Sequence, residues 1–312
     1  MKKFFAALLA MLFVFSLPGG CSRQGNSNNG FGCAGSGGNQ GFNAEREIYV
    51  VSREDGSGTR GAFIELFGIE YKNEDGTIRK DLTTKEAIIA DKTDVVMTNV
   101  SNSPYVIGYI SLGSVNDTVK ALQVDGVSIS VENIQSGAYK IQRPINIAYK
   151  ELTEPAEDFI DFILSQEGQS VVAANDYVPV KENAPHYSGN MPSGKIVVAG
   201  SSSVTPVMEK LREAYLVLNP GVTIEVQLSD STAGMNAAIN GTCDIGMASR
   251  DLKESEKAEL TGLAVALDGL AIVVHNDNPL QGLTSEQIRS IFTGETTRWS
   301  ELNGETFDEQ SV

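Results

Sequence analysis

Histidine, cysteine and tryptophan are scarce in this 312-residue sequence, at two, three and one. His186 and His275 stand far apart and no Cys-x-x-Cys occurs, so a zinc site is disfavoured and no metal is expected. Apart from Cys21, only Cys33 and Cys243 are available, which permits one disulfide and excludes a disulfide scaffold. Basic residues are outnumbered 24 to 40, and the formal charge of −16 argues against nucleic acid or an anionic membrane surface as partner. The same charge repels anions at long range, so any anion site must depend on local donors. No P-loop is present, which disfavours nucleotide hydrolysis. Nothing resembles a Gly-x-Ser-x-Gly elbow, and neither histidine falls in a recognisable Ser-His-acid arrangement, so no enzyme is expected. After the first apolar run, none is long enough to span a membrane.

That first run explains the compartment. Lys2 and Lys3 precede the apolar residues 4–17, and Gly19-Gly20-Cys21 stands where a cleavage site belongs, the pattern of a secretory signal over residues 1–21. Small residues before a cysteine resemble a bacterial lipoprotein processing site, which would make Cys21 the lipidated mature N-terminus. Pro18 replaces the usual leucine three positions before the cysteine, and a plain cleaved signal is the alternative. Residues 22–45, rich in Gly, Asn and Ser, read as a flexible tether.

The chain is organised around Val50-Val51-Ser52-Arg53-Glu54-Asp55-Gly56-Ser57-Gly58-Thr59-Arg60. Ile48 to Val51 suit a buried strand, Gly56 and Gly58 a tight turn, and a helix would start near Ser57. Free N–H groups at a helix start accept phosphate, sulfate or carboxylate. Ser57 and Thr59 add hydroxyls, and Arg53 and Arg60 add guanidinium forks. A merely capped helix start is the bland alternative. Thr83 to Ala90 reads as a short helix. Asp94–Thr98, Val106–Leu112, Val119–Gly126 and Ile145–Tyr149 read as strands, and Pro155–Leu164 as an amphipathic helix. Beyond a linker at 181–194, the logic of strand, small-hydroxyl turn and helix recurs at Ser201-Ser202-Ser203 and at Ser229–Gly234. Asp244–Arg250 is a further strand ending in a small polar residue. Strands with intervening helices indicate an α/β fold, and several such turns at strand carboxyl ends point to a ligand in a crevice there.

Four segments carry a resemblance over roughly 48–312: Ser52–Arg60, Ala199–Pro206, Cys243–Arg250 and Ile291–Trp299. They resemble the phosphate-binding subunit of bacterial phosphate ABC importers, within the two-lobed type II periplasmic binding protein fold. In that family the Gly-Ser-Ser-Ser segment normally comes first, whereas here the second half precedes the first. The order looks like a circular permutation, tolerable if the old termini near Val180 and Gly194 lie close together. The expected lobes are 46–120 plus 276–312, carrying the Arg53 turn, and 121–275, with hinge crossings near 120–126 and 271–278. A truncated tandem array, or a fold completed by a second copy, is the alternative.

The resemblance implies a receptor that closes on inorganic phosphate and delivers it to a membrane permease. It would be a monomer without cofactor, held to the membrane by its lipid anchor only. It carries the family's phosphate contacts onto Arg53, Ser57, Gly58, Thr59, Ser202, Ser203, Ser231 and Ser249. Arg250 stands where well-described members hold an aspartate that accepts the phosphate proton and so rejects sulfate. Asp251, Asp230 or Asp55 would then have to supply the acceptor. The rival function is a surface-tethered sensing or adhesive protein whose oxyanion site is lost or altered to take sulfate or another tetrahedral oxyanion. Trp299 and Met247 are expected in the core, and the run from Tyr71 to Asp81 in a solvated loop.

Overall fold

The computed structural model describes residues 41–72, 78–181 and 183–302. The secretory run, Cys21, Cys33 and most of the tether fall outside the described residues. One sheet runs through the structure in the order Val222–Ser229, Gly194–Ser201, Ile245–Ala248, Gln142–Tyr149, Thr261–Val274, Val106–Ser111, Tyr49–Arg53, Ile88–Ala90. The parallel neighbours at each end are joined through helices, as parallel pairing requires.

The fourteen-residue strand Thr261–Val274 belongs to both halves. Its first part pairs with Gln142–Tyr149 as far as Gly269, and from Leu270 it pairs with Val106–Ser111. The side chains divide at the same place. Phe63, Phe67, Tyr109, Phe292 and Trp299 pack with Ile107 and Ile272 in one core, and Phe159, Phe162 and Tyr215 with Ile147, Val198 and Ile245 in the other. Opposite faces of the two half-sheets are covered by the helices Thr93–Ser101 and Ser231–Ile239, whose Val96, Val100, Met235 and Ala238 are buried. The result is a two-lobed α/β fold with helices on both faces of each half-sheet.

Four local expectations differ from the structure. Residues 94–98 lie in the helix Thr93–Ser101, because Val96 and Val100, four residues apart, reach the sheet together while Asp94 and Thr98 are exposed. Thr83–Ala90 is not a helix. It ends in a short strand, Ile88–Ala90, laid parallel to Val51–Arg53. The passage between the cores also lies elsewhere than 120–126 and 271–278. Leu122, Val124, Ile134, Tyr139 and Ile141 all feed the core that contains Phe63, so the chain changes lobes at Gln142 and at Gly269. A buried ion pair stands at that crossing. Arg143 Nη2 donates to Asp268 Oδ2 at 2.9 Å, and Ser111 Oγ to Asp268 Oδ1 at 2.8 Å. Trp299 and Met247 are fully buried. The run from Tyr71 to Asp81, expected as a loop, begins and ends in the antiparallel strands Glu70–Lys72 and Ile78–Asp81, with Tyr71 exposed.

The 181–194 linker is docked rather than loose. Gln166 N donates to Pro185 O, Tyr187 N to Glu167 Oε2 at 2.8 Å, and Asn190 N to Asp158 Oδ1 at 3.0 Å. Tyr187 and Tyr215 both donate to Asp158 Oδ2. Two helices of the second core thus hold the linker by its backbone and its tyrosine.

Candidate functional site

The buried strand Tyr49–Arg53 stops at a four-residue turn in which Ser57 N donates to Glu54 O. Ser57, extended at φ −66° and ψ 123°, caps the helix Gly58–Leu66 by accepting from Arg60 N. Its hydroxyl therefore serves its own helix. Arg53 is 2% exposed, and its backbone N–H donates to Tyr109 OH at 3.0 Å. Its Nε and Nη2 donate to the two oxygens of Glu54, both at 2.7 Å, and Nη2 also reaches Ser202 Oγ at 2.9 Å. Ser202 belongs to the opposite lobe, so this guanidinium spans the cleft.

Three strand ends of that lobe converge on the same point. Gly194–Ser201 runs into Ser202 and Ser203, Val222–Ser229 into Asp230 and Ser231, and Ile245–Ala248 into Ser249. All four serines are buried. Asp230 caps the helix Ser231–Ile239 by accepting from Ala233 N at 2.8 Å. Ser231 Oγ accepts from Ser249 N at 3.1 Å, and Ser201 Oγ donates to Ser249 Oγ at 2.9 Å. Across the cleft, Thr59 Oγ1 and Ser203 Oγ share a hydrogen at 2.7 Å.

Close approach of the lobes is possible because two positions lack a Cβ. A Cβ on Gly58 would lie 2.4 Å from Ser231 Oγ and 2.8 Å from Ser249 Oγ, and one on Gly56 would lie 2.4 Å from Asp230 Oδ1. Gly56 O accepts from Thr232 N, which ties the turn to the facing helix. Arg53, Gly58, Thr59, Ser202, Ser203, Ser231 and Ser249 are thus brought together from segments nearly two hundred residues apart. Ser57 stands beside them with its hydroxyl turned to Arg60.

Two arginines point elsewhere. Arg60, expected to supply a second fork, pairs with Asp81 at 2.8 Å and donates to Arg53 O. Arg250 forks onto Glu256 at 2.7 and 2.8 Å and reaches Thr232 Oγ1 at 3.4 Å, so its guanidinium is paired outside the serine cluster, and Ser249 is the residue that faces inward. Burial pushes the Glu256 carboxyl up, but Arg250 and the Lys253 backbone outweigh it and hold it below its ordinary 4.5. Of the acceptors weighed, Asp55 is 98% exposed beside Arg60, Asp251 is exposed, and Asp230 caps its helix. Glu54 was not anticipated, yet it is the carboxylate in contact with Arg53. Each guanidinium around the cluster carries its own carboxylate, so what the cluster presents is hydroxyls, helix termini and one shared fork rather than net positive charge.

Thr93 also stands in the cluster, opening a helix whose residues 94–98 read from the sequence as a strand. Its hydroxyl lies 3.3 Å from Ser203 Oγ, 3.4 Å from Arg53 Nη1 and 3.5 Å from Ser202 Oγ. The signal present in the sequence was a hydroxyl residue followed by Val96 and Val100 at helical spacing. Among the described residues no group of three or more His, Cys, Asp or Glu could hold a metal, and no helix is long and apolar enough to cross a membrane.

A family model described as a PBP superfamily domain matches residues 36–167 and 185–311. The chain is 50% identical over 304 residues to "Phosphate-binding protein PstS 2" of Streptococcus agalactiae, covering 95% of this chain and 98% of that one. It is 44% identical over 260 residues to "Phosphate-binding protein PstS 2" of Streptococcus pneumoniae, covering 83% and 89%. The crystal structure of a phosphate ABC transporter, phosphate-binding protein from Streptococcus pneumoniae superposes with a TM-score of 0.66 at 44% identity, over 82% of this chain and 100% of that one.

Proposed function

Since the chain belongs to the phosphate-binding protein family within the PBP superfamily, we propose that it captures inorganic phosphate outside the cytoplasm and hands it to an ABC importer. One observation carries this reading: Arg53 and Thr59 of one lobe meet Ser202 and Ser203 of the other at 2.9 and 2.7 Å, so an anion held there engages both lobes at once. Closure on an anion is an event that a transporter can sense. The phosphate contacts are Arg53, Gly58, Thr59, Ser202, Ser203, Ser231 and Ser249, with Ser57 ordering the first helix.

A single chain supplies both sides of the cluster, which supports a monomer. Cys21 is the lipid-bearing residue in this reading, the anchor is the membrane contact, and a permease is the partner of the closed form. No residue is given a catalytic role. His186 and His275 pair with Glu167 and Asp277, and neither contacts a site hydroxyl. For the circularly permuted order the support is the linker, which is held against the second core between Val180 and Gly194 and so keeps the old termini together.

Calorimetric titration of the full chain with phosphate and, separately, sulfate tests the function. One phosphate per monomer, with sulfate silent, is the expected result. No heat from either anion would overturn the receptor and favour a tethered protein with a lost site. Equal binding of both would overturn selectivity alone, since sulfate differs in lacking a proton to give to an acceptor.

A further inference from the structure

The helix Thr93–Ser101 opens at the centre of the hydroxyl cluster, and its first side chain is buried at 4% exposure. Buried hydroxyls normally hold a partner near 2.7–2.8 Å, the distance typical of O–H···O bonds. Ser52 does so with Tyr109 at 2.8 Å and Thr59 with Ser203 at 2.7 Å. Thr93 does not. Its three polar neighbours, Ser203 Oγ, Arg53 Nη1 and Ser202 Oγ, stand at 3.3, 3.4 and 3.5 Å. All three belong to the residues that take phosphate in the reading above.

The helix differs from its neighbours in a second way. Ser57 and Asp230 use their side-chain oxygens to cap the helices they open, whereas Lys92, at the same position here, makes no side-chain cap. The first turn of this helix therefore meets the cluster with the Thr93 hydroxyl and with backbone donors that no side chain engages. An anionic oxygen lying among Thr93, Arg53 and Ser203 would turn three long contacts into three charge-assisted bonds of ordinary length.

We propose that Thr93 is a direct ligand of the bound phosphate, giving the Arg53 lobe a second contact segment besides the Arg53–Thr59 turn. The inference rests on the phosphate-receptor reading. A hydroxyl donor to an anion is worth between about ten- and a hundred-fold in affinity. Thr93→Val removes the hydroxyl and keeps the shape; Thr93→Ser keeps the hydroxyl.

Calorimetry with inorganic phosphate and thermal melting with and without phosphate read the two variants against the wild type. The expected result is a Thr93→Val protein that melts, without phosphate, at or above the wild-type temperature, yet binds at least about tenfold more weakly and loses most of the phosphate-induced rise. Thr93→Ser should bind within about threefold of wild type. If Thr93→Val does not fold, Thr93→Ala removes the same hydroxyl and decides in its place. Thr93→Val binding phosphate like the wild type would overturn Thr93 as a ligand and leave the receptor standing. Equal weakening of Val and Ser variants would also overturn it, since the hydroxyl would then not be the contact. A wild type deaf to phosphate would overturn the receptor and this inference together.

Discussion

The two lobes offer an anion different chemistry from the same construction. Each ends buried strands in short turns that open helices, but one lobe brings a guanidinium to the cleft and the other brings four buried serines, its nearby Asp230 being taken up in capping a helix. Even the guanidinium is neutralised, since Glu54 takes two of its donors at 2.7 Å each. In a protein of formal charge −16, an anion at this cluster would be held without a positive patch, by oriented neutral dipoles among buried side chains. The charged lobe should carry the larger share of affinity and the serine lobe the geometry.

Removing the charge should break that asymmetry most severely. Arg53→Ala is expected to weaken phosphate binding by more than about a hundredfold, the loss of a buried charge-assisted donor, and Arg53→Lys should recover only part of it because a point charge cannot replace the fork. Calorimetry measures both, and near-native binding by Arg53→Ala would show that the serine lobe dominates. Next comes Gly58→Ala, whose methyl would sit 2.4 Å from Ser231 Oγ. Alanine suits a helix's first turn, so the unliganded protein should melt within about 2 °C of wild type, while affinity drops at least about tenfold because the lobes cannot meet.

Smaller effects sharpen the comparison. Thr59→Val and Ser203→Ala should each weaken binding about tenfold, the loss of one hydroxyl donor to the anion, and the double variant should fall short of the summed loss because the two also form one 2.7 Å contact with each other. Full additivity in a double-mutant cycle would mean that the pair does not act across the cleft. Smallest of all is Arg250→Ala, expected to leave phosphate affinity within about twofold, since its guanidinium serves Glu256. Its signature lies in pH. The folded Glu256 carboxyl is held below its ordinary 4.5, so its stabilising contribution is present above that value and is lost as pH falls through the folded value. Urea melts at pH 7 and pH 4 should show a steeper acid loss in wild type than in Arg250→Ala; parallel losses would remove Glu256 as the cause.

Much of this was legible along the chain. The Arg53–Thr59 turn, the Ser202–Ser203 turn and the strand into Ser249 could be placed because each couples a β-branched or apolar run to small residues, a local pattern that burial on both faces enforces. Less local features were not legible. Whether Asp94-Val95-Val96-Met97-Thr98 is strand or helix depends on which side chains find the sheet, and Val96 and Val100 reach it together only on a helix. The partners of Arg60 and Arg250 were equally out of reach, since Asp81 is 21 residues from one and the fork on Glu256 depends on how the 254–257 turn packs.

The sequence by itself determined the class of fold, the acidic character that forces an anion site to be local, and the hydroxyl and glycine residues at strand ends, because all of these are properties of short stretches. Only the tertiary structure decided that the lobes change over at Gln142 and Gly269, that Glu54 neutralises Arg53, that Arg250 faces away, and that Thr93 stands inside the cluster. Those outcomes depend on which distant groups compete for the same few donors once they share a buried space, and a donor's partner there is fixed by distance in three dimensions rather than by spacing along the chain.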